Sequence, residues 1–326
     1  MRAAFYESNG SAKDVLKLGE VDTPMPAKGE VRVRLRTSGV NPSDVKTRFG
    51  LLGKSPHARV IPHSDGAGEI DAVGDGVDKS RVGQRVWIWN GQWQRPFGSA
   101  GEYIVLPQEQ AVRLPDGISY EAGACMGIPG LTAYHAITLD GAISGQTILI
   151  SGGAGAVSHY AIQIAKAQGA KVITTISSDE KAALVKAAGA DLAINYRTED
   201  VAARVKEFTT GRGVDRVIEL DIAANAKLLP GVLASKGKVV VYGTSGLEAP
   251  LPAIFCLLHS ICVEFFLVYT LDTAQRAAAV AGLSTMLEAN ALIHNIGAVM
   301  PLADIVQAHE AVESGKMIGN VVLTID

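Results

Sequence analysis

Cysteine is scarce. Cys125, Cys256 and Cys262 are the only three in 326 residues. No Cys-x-x-Cys pair occurs, which argues against a structural zinc lobe, and an odd count argues against a disulfide framework. Charge of one sign is also lacking. The net charge of −3 gives no global attraction to nucleic acid or an anionic membrane. The opening MRAAFYESNG has no apolar core of the signal-peptide kind. With so little cysteine, this leads us to expect a reducing, cytoplasmic setting. A clean membrane-length apolar run is missing too. Residues 251–270, LPAIFCLLHSICVEFFLVYT, approach that length, but His259, Ser260 and Glu264 interrupt them and Pro252 stands near their start. A short buried helix followed by a strand is expected there. There is no internal repeat and no low-complexity linker.

What is present is apolar and glycine-rich: 48% hydrophobic residues, 19% charged and 35 glycines. A chain of this length exceeds one typical core, so two domains are expected. The first ~120 residues read as short strands and turns. Val31-Arg-Val-Arg-Leu-Arg36 alternates apolar and charged residues, as a half-buried strand does. Near residue 123 the pattern changes to strands alternating with helices. Strands are read at 147–150, 171–176, 192–194, 214–220 and 237–242, with helices at 156–168, 179–188 and 198–209. This alternation predicts an α/β fold with a doubly wound parallel sheet of the Rossmann type. After residue 270 a helix (272–289) and a last strand (321–325) return to the mixed style. The α/β unit, 123–267, is therefore expected to be inserted in a mostly β domain formed by 1–122 and 268–326.

The α/β unit carries SGGAGAVSHY at 151–160, between a strand and a helix. Gly152-x-x-Gly155-x-x-Ser158 reads as a dinucleotide turn in this context. Gly152 and Gly155 let the backbone turn and approach a pyrophosphate. The amides around Gly155, Ala156 and Val157 face it from a helix N-terminus. Ser158 stands where a third glycine is expected, a position that governs helix–strand packing. It is read as a modest packing change. The second strand leads into Ser177-Ser-Asp-Glu-Lys181. An acid at that strand end would select NAD; Ser177 and Ser178 tolerate a 2′-phosphate and Lys181 supplies charge, so NADPH is favoured. Asp179 and Glu180 either face the same place or favour the N-terminus of the following helix.

At this point several blocks, in order along the chain, resemble a known family. They are Gly39-Val-Asn-Pro-Ser-Asp44, Ile61-Pro-His-Ser-Asp-Gly-Ala-Gly68, Gly127-Ile-Pro-Gly-Leu-Thr-Ala-Tyr134, the glycine turn, and Ala190-Asp-Leu-Ala-Ile-Asn-Tyr-Arg197. Together they are similar to the zinc-free quinone oxidoreductase (zeta-crystallin-like) branch of the medium-chain dehydrogenase/reductase superfamily. The resemblance implies a GroES-like catalytic domain around the Rossmann unit. Zinc-dependent relatives carry Cys, His and Cys where this chain has Asn41, Ser64 and Ile128, so no metal is expected. Without a Lewis acid the hydride acceptor must be electron-poor by itself, as quinones and conjugated carbonyls are.

The resemblance further implies that Asn41 and Asp44 border the substrate. Lys46 and Leu52 replace tyrosines common in relatives; Lys46 is a candidate donor in place of a phenol. Thr132 is expected at the nicotinamide carboxamide, Tyr196 with Lys181 at the 2′-phosphate, and Gly243 beside the nicotinamide. Asn320 is a further cofactor candidate. Pairing of the apolar strand near 261–269 with a second copy implies a homodimer. Two other readings stand beside the quinone reductase: an NADPH-dependent reductase of enone or acrylate C=C bonds, and a low-turnover NADPH-binding structural or nucleic-acid-binding module. The charge balance disfavours nucleic acid.

Overall fold

The computed structural model describes all residues except Leu52, Lys54 and Ser55. Its contacts divide the chain into two compact units: Met1–Pro129 with Val280–Asp326, and Gly130–Ala279. The sequence reading set its breaks somewhat earlier, after residues 122 and 267. Among the described residues, no helix is long and apolar enough to cross a membrane.

The first unit is built on the strand Glu30–Val40. Its period-2 pattern works as read: Val31, Val33 and Leu35 are buried, while the arginines between them reach solvent. This strand pairs antiparallel with Asp65–Val73, Tyr103–Pro107 and the C-terminal Asn320–Thr324. The sheet runs in the order Ile296–Pro301, Asn320–Thr324, Glu30–Val40, Asp65–Val73, Arg85–Ile88, Ala111–Arg113. Both ends of the chain therefore share one core. The helix Pro42–Phe49 leaves the central strand with proline at its start and stops at Gly50, whose φ of 91° is left-handed. Arg48 on this helix is wholly buried. It pairs with Glu313 of the Ile305–Glu313 helix and donates to the Gly10 carbonyl at 2.6 Å, which offsets the cost of burying its charge.

The second unit is a parallel sheet in the order Leu192–Asn195, Lys171–Ile176, Thr147–Ile150, Val214–Glu219, Leu233–Val241, Cys262–Phe265. The order reverses between Thr147–Ile150 and Val214–Glu219. In such sheets the crevice beyond the carboxyl ends of those two strands receives the ligand. The four residues of Thr147–Ile150 are buried on both faces, as a central parallel strand requires. The helix Ala156–Ala167 buries eight consecutive residues, Ser158–Ala165.

One expectation fails in this unit. The apolar segment after Pro252 does form a helix, Ala253–His259, and an edge strand, but the helix is not buried. Phe255 packs on the core. Ile254, Leu257 and Leu258 are 70–76% exposed, because the sheet ends at this edge and only one helix face has a surface to meet.

Candidate functional site

In the second unit, the glycine turn lies at the carboxyl end of Thr147–Ile150, on the switch point. Gly152 has φ 64°, in the left-handed region that favours glycine, and its open side faces the Leu220 side chain. Gly152 N–H donates to Thr175 Oγ1 at 2.9 Å and Gly153 N–H to the Thr175 carbonyl at 3.0 Å, which fixes the turn on the neighbouring strand. Gly155 caps the helix and has no side-chain oxygen for its first amides. Ala156 and Val157, the first two helical residues, are half-exposed. These amides and the helix dipole suit a phosphate, so the turn fits a dinucleotide.

Ser177, Ser178 and Lys181 follow the end of Lys171–Ile176. Lys181 Nζ donates to Ser177 Oγ at 2.8 Å. Tyr196 N–H donates to the Ile176 carbonyl at 3.1 Å, which brings Tyr196, 53% exposed, beside this strand end. Asp179 and Glu180 are exposed in the first turn of the next helix, where their charge is favourable. Gly243 packs against the Leu220 carbonyl, 2.2 Å from the place a Cβ would occupy. Thr132 is buried in the helix Leu131–Thr138.

In the first unit, Asn41 and Asp44 are buried with Ser64 and Asp65. Asn41 N–H donates to Asp44 Oδ2 at 2.8 Å, and Asn41 Nδ2 donates to Asp65 Oδ2 at 2.9 Å. The same Asp65 oxygen accepts the Ile128 N–H at 3.0 Å. Asp65 Oδ1 packs on Gly127, where a Cβ would stand 2.3 Å away. Burial pushes the Asp44 carboxyl up to about 7, against opposing hydrogen bonds from Asn41 and Ser64. Burial, with Asp44 nearby, pushes Asp65 well above the usual carboxylate range.

His63 is turned away from this cluster. Its φ of 77° is left-handed. Its ring bonds Ser38 Oγ through Nδ1 at 2.8 Å and His309 Nε2 through Nε2 at 2.9 Å. The direction of the chain follows from its far end. Ser99 Oγ donates to the Asp65 carbonyl at 2.5 Å, so Ser38 donates to Ser99 at 2.9 Å and His63 Nδ1–H donates to Ser38. His63 Nε2 therefore accepts from His309. Burial holds both imidazoles neutral, His63 with its pKa pushed down to about 3.

The residues present do not fit a catalytic zinc. The three ligand-matching positions hold an amide, a hydroxyl and an alkyl group. His63 is engaged elsewhere, and Cys125 Sγ donates to the Glu121 carbonyl at 3.2 Å. Among the described residues, no three His, Cys, Asp or Glu side chains are grouped to hold a metal ion.

Lys46 is half-buried and lines a groove of about 330 Å³ with Pro42, Val45, Phe49, Leu51, Val312 and Glu313. Leu52 lies outside the described residues. Asn320 donates its backbone N–H and its Nδ2 to the Asn295 carbonyl, at 2.8 and 2.9 Å.

A mostly β unit joined to a doubly wound sheet with a phosphate-ready turn at its switch point defines a dinucleotide-dependent oxidoreductase architecture. Residues 27–116 match the family model described as alcohol dehydrogenase GroES-like domain, and 156–283 match that of zinc-binding dehydrogenase. The chain is 30% identical over 314 residues to the quinone oxidoreductase of Homo sapiens, covering 94% of this chain and 93% of that protein. The crystal structure of Escherichia coli quinone oxidoreductase complexed with NADPH is similar over the full length of both chains, with TM-score 0.87 and 26% identity. An NAD-dependent alcohol dehydrogenase structure is likewise similar over both full lengths, with TM-score 0.91 and 29% identity. The chain belongs to the medium-chain dehydrogenase/reductase superfamily, in its quinone oxidoreductase branch.

Sequence reasoning passed over several residues that shape the site. Gly153, in plain view in SGGAG, is crowded by Thr174 Oγ1, 2.2 Å from an added Cβ. Glu219 and Tyr242, at strand ends beside the turn, were readable only as strand residues. His309 and Ser99 carry no local signal of their link to Asp65.

The buried Asp44 makes stability depend on pH. Its folded pKa, about 7, lies above the unfolded value of about 3.9. The neutral acid therefore contributes stability that is complete below pH ~4 and lost as the pH rises through ~7. Asp44→Asn removes this titration. Its melting temperature is expected to rise by several degrees relative to wild type between pH 5 and pH 8, in thermal scans of both proteins. A difference independent of pH would show that Asp44 is already ionised in the fold.

Proposed function

We propose that this protein is an NADPH-dependent, zinc-independent reductase that passes hydride to quinones or other electron-poor conjugated carbonyls, in a reducing, cytoplasmic setting. The observation that carries this reading is the donor set at Asn41, Ser64 and Ile128, which offers hydrogen bonds and no metal ligand. The NADPH-complexed Escherichia coli relative and the human quinone oxidoreductase support it. The three free cysteines agree with a reducing setting.

Gly152, Gly155, Ala156 and Val157 hold the pyrophosphate. Ser177, Ser178, Lys181 and Tyr196 hold the 2′-phosphate, and Thr132 and Gly243 serve the nicotinamide half, while Asn320 of the first unit is a separate, weaker cofactor candidate. The bound cofactor supplies the hydride. The chain's own residues supply position and protons. Asp65 fixes the Asn41 amide by taking one Nδ2 hydrogen. The second hydrogen on that nitrogen donates to the oxygen that gains negative charge, an oxyanion role in a dry site. Asp44 holds the Asn41 backbone, and Lys46 is the donor from its apolar groove. Whether C=O or C=C is reduced follows from the product: a hydroquinone, or a saturated ketone.

Self-association belongs to the same reading. Cys262–Phe265 ends the parallel sheet, and Phe265, Leu257 and Leu258 are 59–76% exposed around it. An uncovered edge of this kind invites pairing with a second copy.

Lys181→Ala is expected to raise the KM for NADPH about tenfold or more and to leave that for NADH within about twofold, since one charge-assisted bond to phosphate is lost. Equal effects on both cofactors contradict the assignment. Sedimentation of the wild-type protein at micromolar concentration is expected to give a dimer, and Leu257→Glu with Leu258→Glu a monomer. A wild-type monomer contradicts edge pairing.

A further inference from the structure

Ser158 stands where a dinucleotide turn commonly has its third glycine. It lies in the first turn of Ala156–Ala167 and is 1% exposed. A hydroxyl buried that deeply needs partners. It has two: Ser158 Oγ donates to the Ser151 carbonyl at 2.7 Å and lies 3.0 Å from Tyr242 Oη. The carbonyl only accepts, so the one Ser158 proton goes there. The Tyr242 phenol therefore donates to Ser158. Burial pushes the Tyr242 pKa up, which keeps that proton in place.

The link continues on the other side. Ser151 Oγ donates to Glu219 Oε2 at 2.7 Å, and the Glu219 carbonyl accepts the Tyr242 N–H at 3.1 Å. Tyr242, Ser158, Ser151 and Glu219 thus close a ring. Its members come from the helix after the glycine turn and from the carboxyl ends of three adjacent strands, at the switch point of the sheet. Glu219 Oε1 also accepts the Asp221 N–H at 2.6 Å and Asn225 Nδ2 at 2.9 Å. Asp221 Oδ1 in turn accepts from Ser245 N–H at 2.8 Å and Ser245 Oγ at 2.9 Å. The ring is therefore continuous with the loop that contains Gly243.

We propose that Ser158 and Tyr242 are a matched pair of positioning residues that lock the phosphate-binding turn to the Tyr242–Gly246 loop, so that both halves of the cofactor meet one rigid frame. The inference rests on the NADPH reading above and gives the departure at Ser158 a role beyond packing. Removing one member of a buried hydrogen-bonded pair costs more than removing both. The pair therefore has a signature that a general packing role lacks.

The test compares wild type, Ser158→Ala, Tyr242→Phe and the double variant. Two dissociation constants are measured for each: NADPH by fluorescence, and 2′,5′-ADP, which carries only the adenosine half, by calorimetry. Ser158→Ala is expected to weaken NADPH about three- to tenfold, the range of one hydrogen bond, and to leave 2′,5′-ADP within about twofold. Tyr242→Phe, which preserves the Ser158 bond to Ser151, gives a smaller loss in the same direction. The double variant still lacks the Ser158 bond to Ser151 but no longer strands the phenol, so it binds NADPH more tightly than Ser158→Ala alone. Additive losses, or equal losses for both ligands, overturn the coupling while leaving the cofactor reading intact. A wild-type protein that binds 2′,5′-ADP and NADPH no better than 5′-AMP and NADH overturns the cofactor reading, and this inference with it.

Discussion

The Asp65 carboxyl group is the constraint on which the candidate substrate site depends. One of its oxygens gathers the Asn41 side chain and the Ile128 backbone, while its own carbonyl accepts Ser99. In the proposed zinc-free reading, this carboxyl gathers the site by hydrogen bonds. Gly127 leaves room for Asp65 Oδ1, and the chain from His309 through His63, Ser38 and Ser99 holds the turn behind it. A hydrogen-bonded amide stabilises developing charge but does not polarise an unactivated alcohol or ketone as a metal does. The chemistry proposed for it is therefore hydride transfer to an acceptor that is already electron-poor.

The cofactor side follows from sheet topology. Reversal of strand order opens a crevice, and the glycine turn, the Glu219–Asp221 segment and the Tyr242–Gly246 loop all stand at its lip. Each is fixed by hydrogen bonds to the next. A frame already assembled before binding lowers the ordering cost of gripping a long, flexible dinucleotide. The selectivity proposed for the 2′-phosphate is a separate local matter at the end of Lys171–Ile176, where Lys181 donates to Ser177.

The architecture was legible wherever period and punctuation are local properties. The change from period 2 to alternating strands and helices located the doubly wound sheet, and the glycine turn fell between the expected strand and helix. The interior of the site was less legible because its bonds are long-range. Ser158 and Tyr242 are 84 residues apart, and His63 and His309 are 246 apart. No local pattern announces such partners. The burial expected of the Ala253–His259 helix fails for the opposite reason. Its composition is that of a core element, but composition does not set which surfaces the fold brings against it.

The most direct measurement is NADPH oxidation at 340 nm by protein pretreated with a chelator, against quinones and unsubstituted aliphatic aldehydes, with NADH in parallel. The account predicts that turnover with quinones survives chelation, prefers NADPH, and exceeds turnover with aldehydes by orders of magnitude. Loss of turnover on chelation, restored by added zinc, would contradict it.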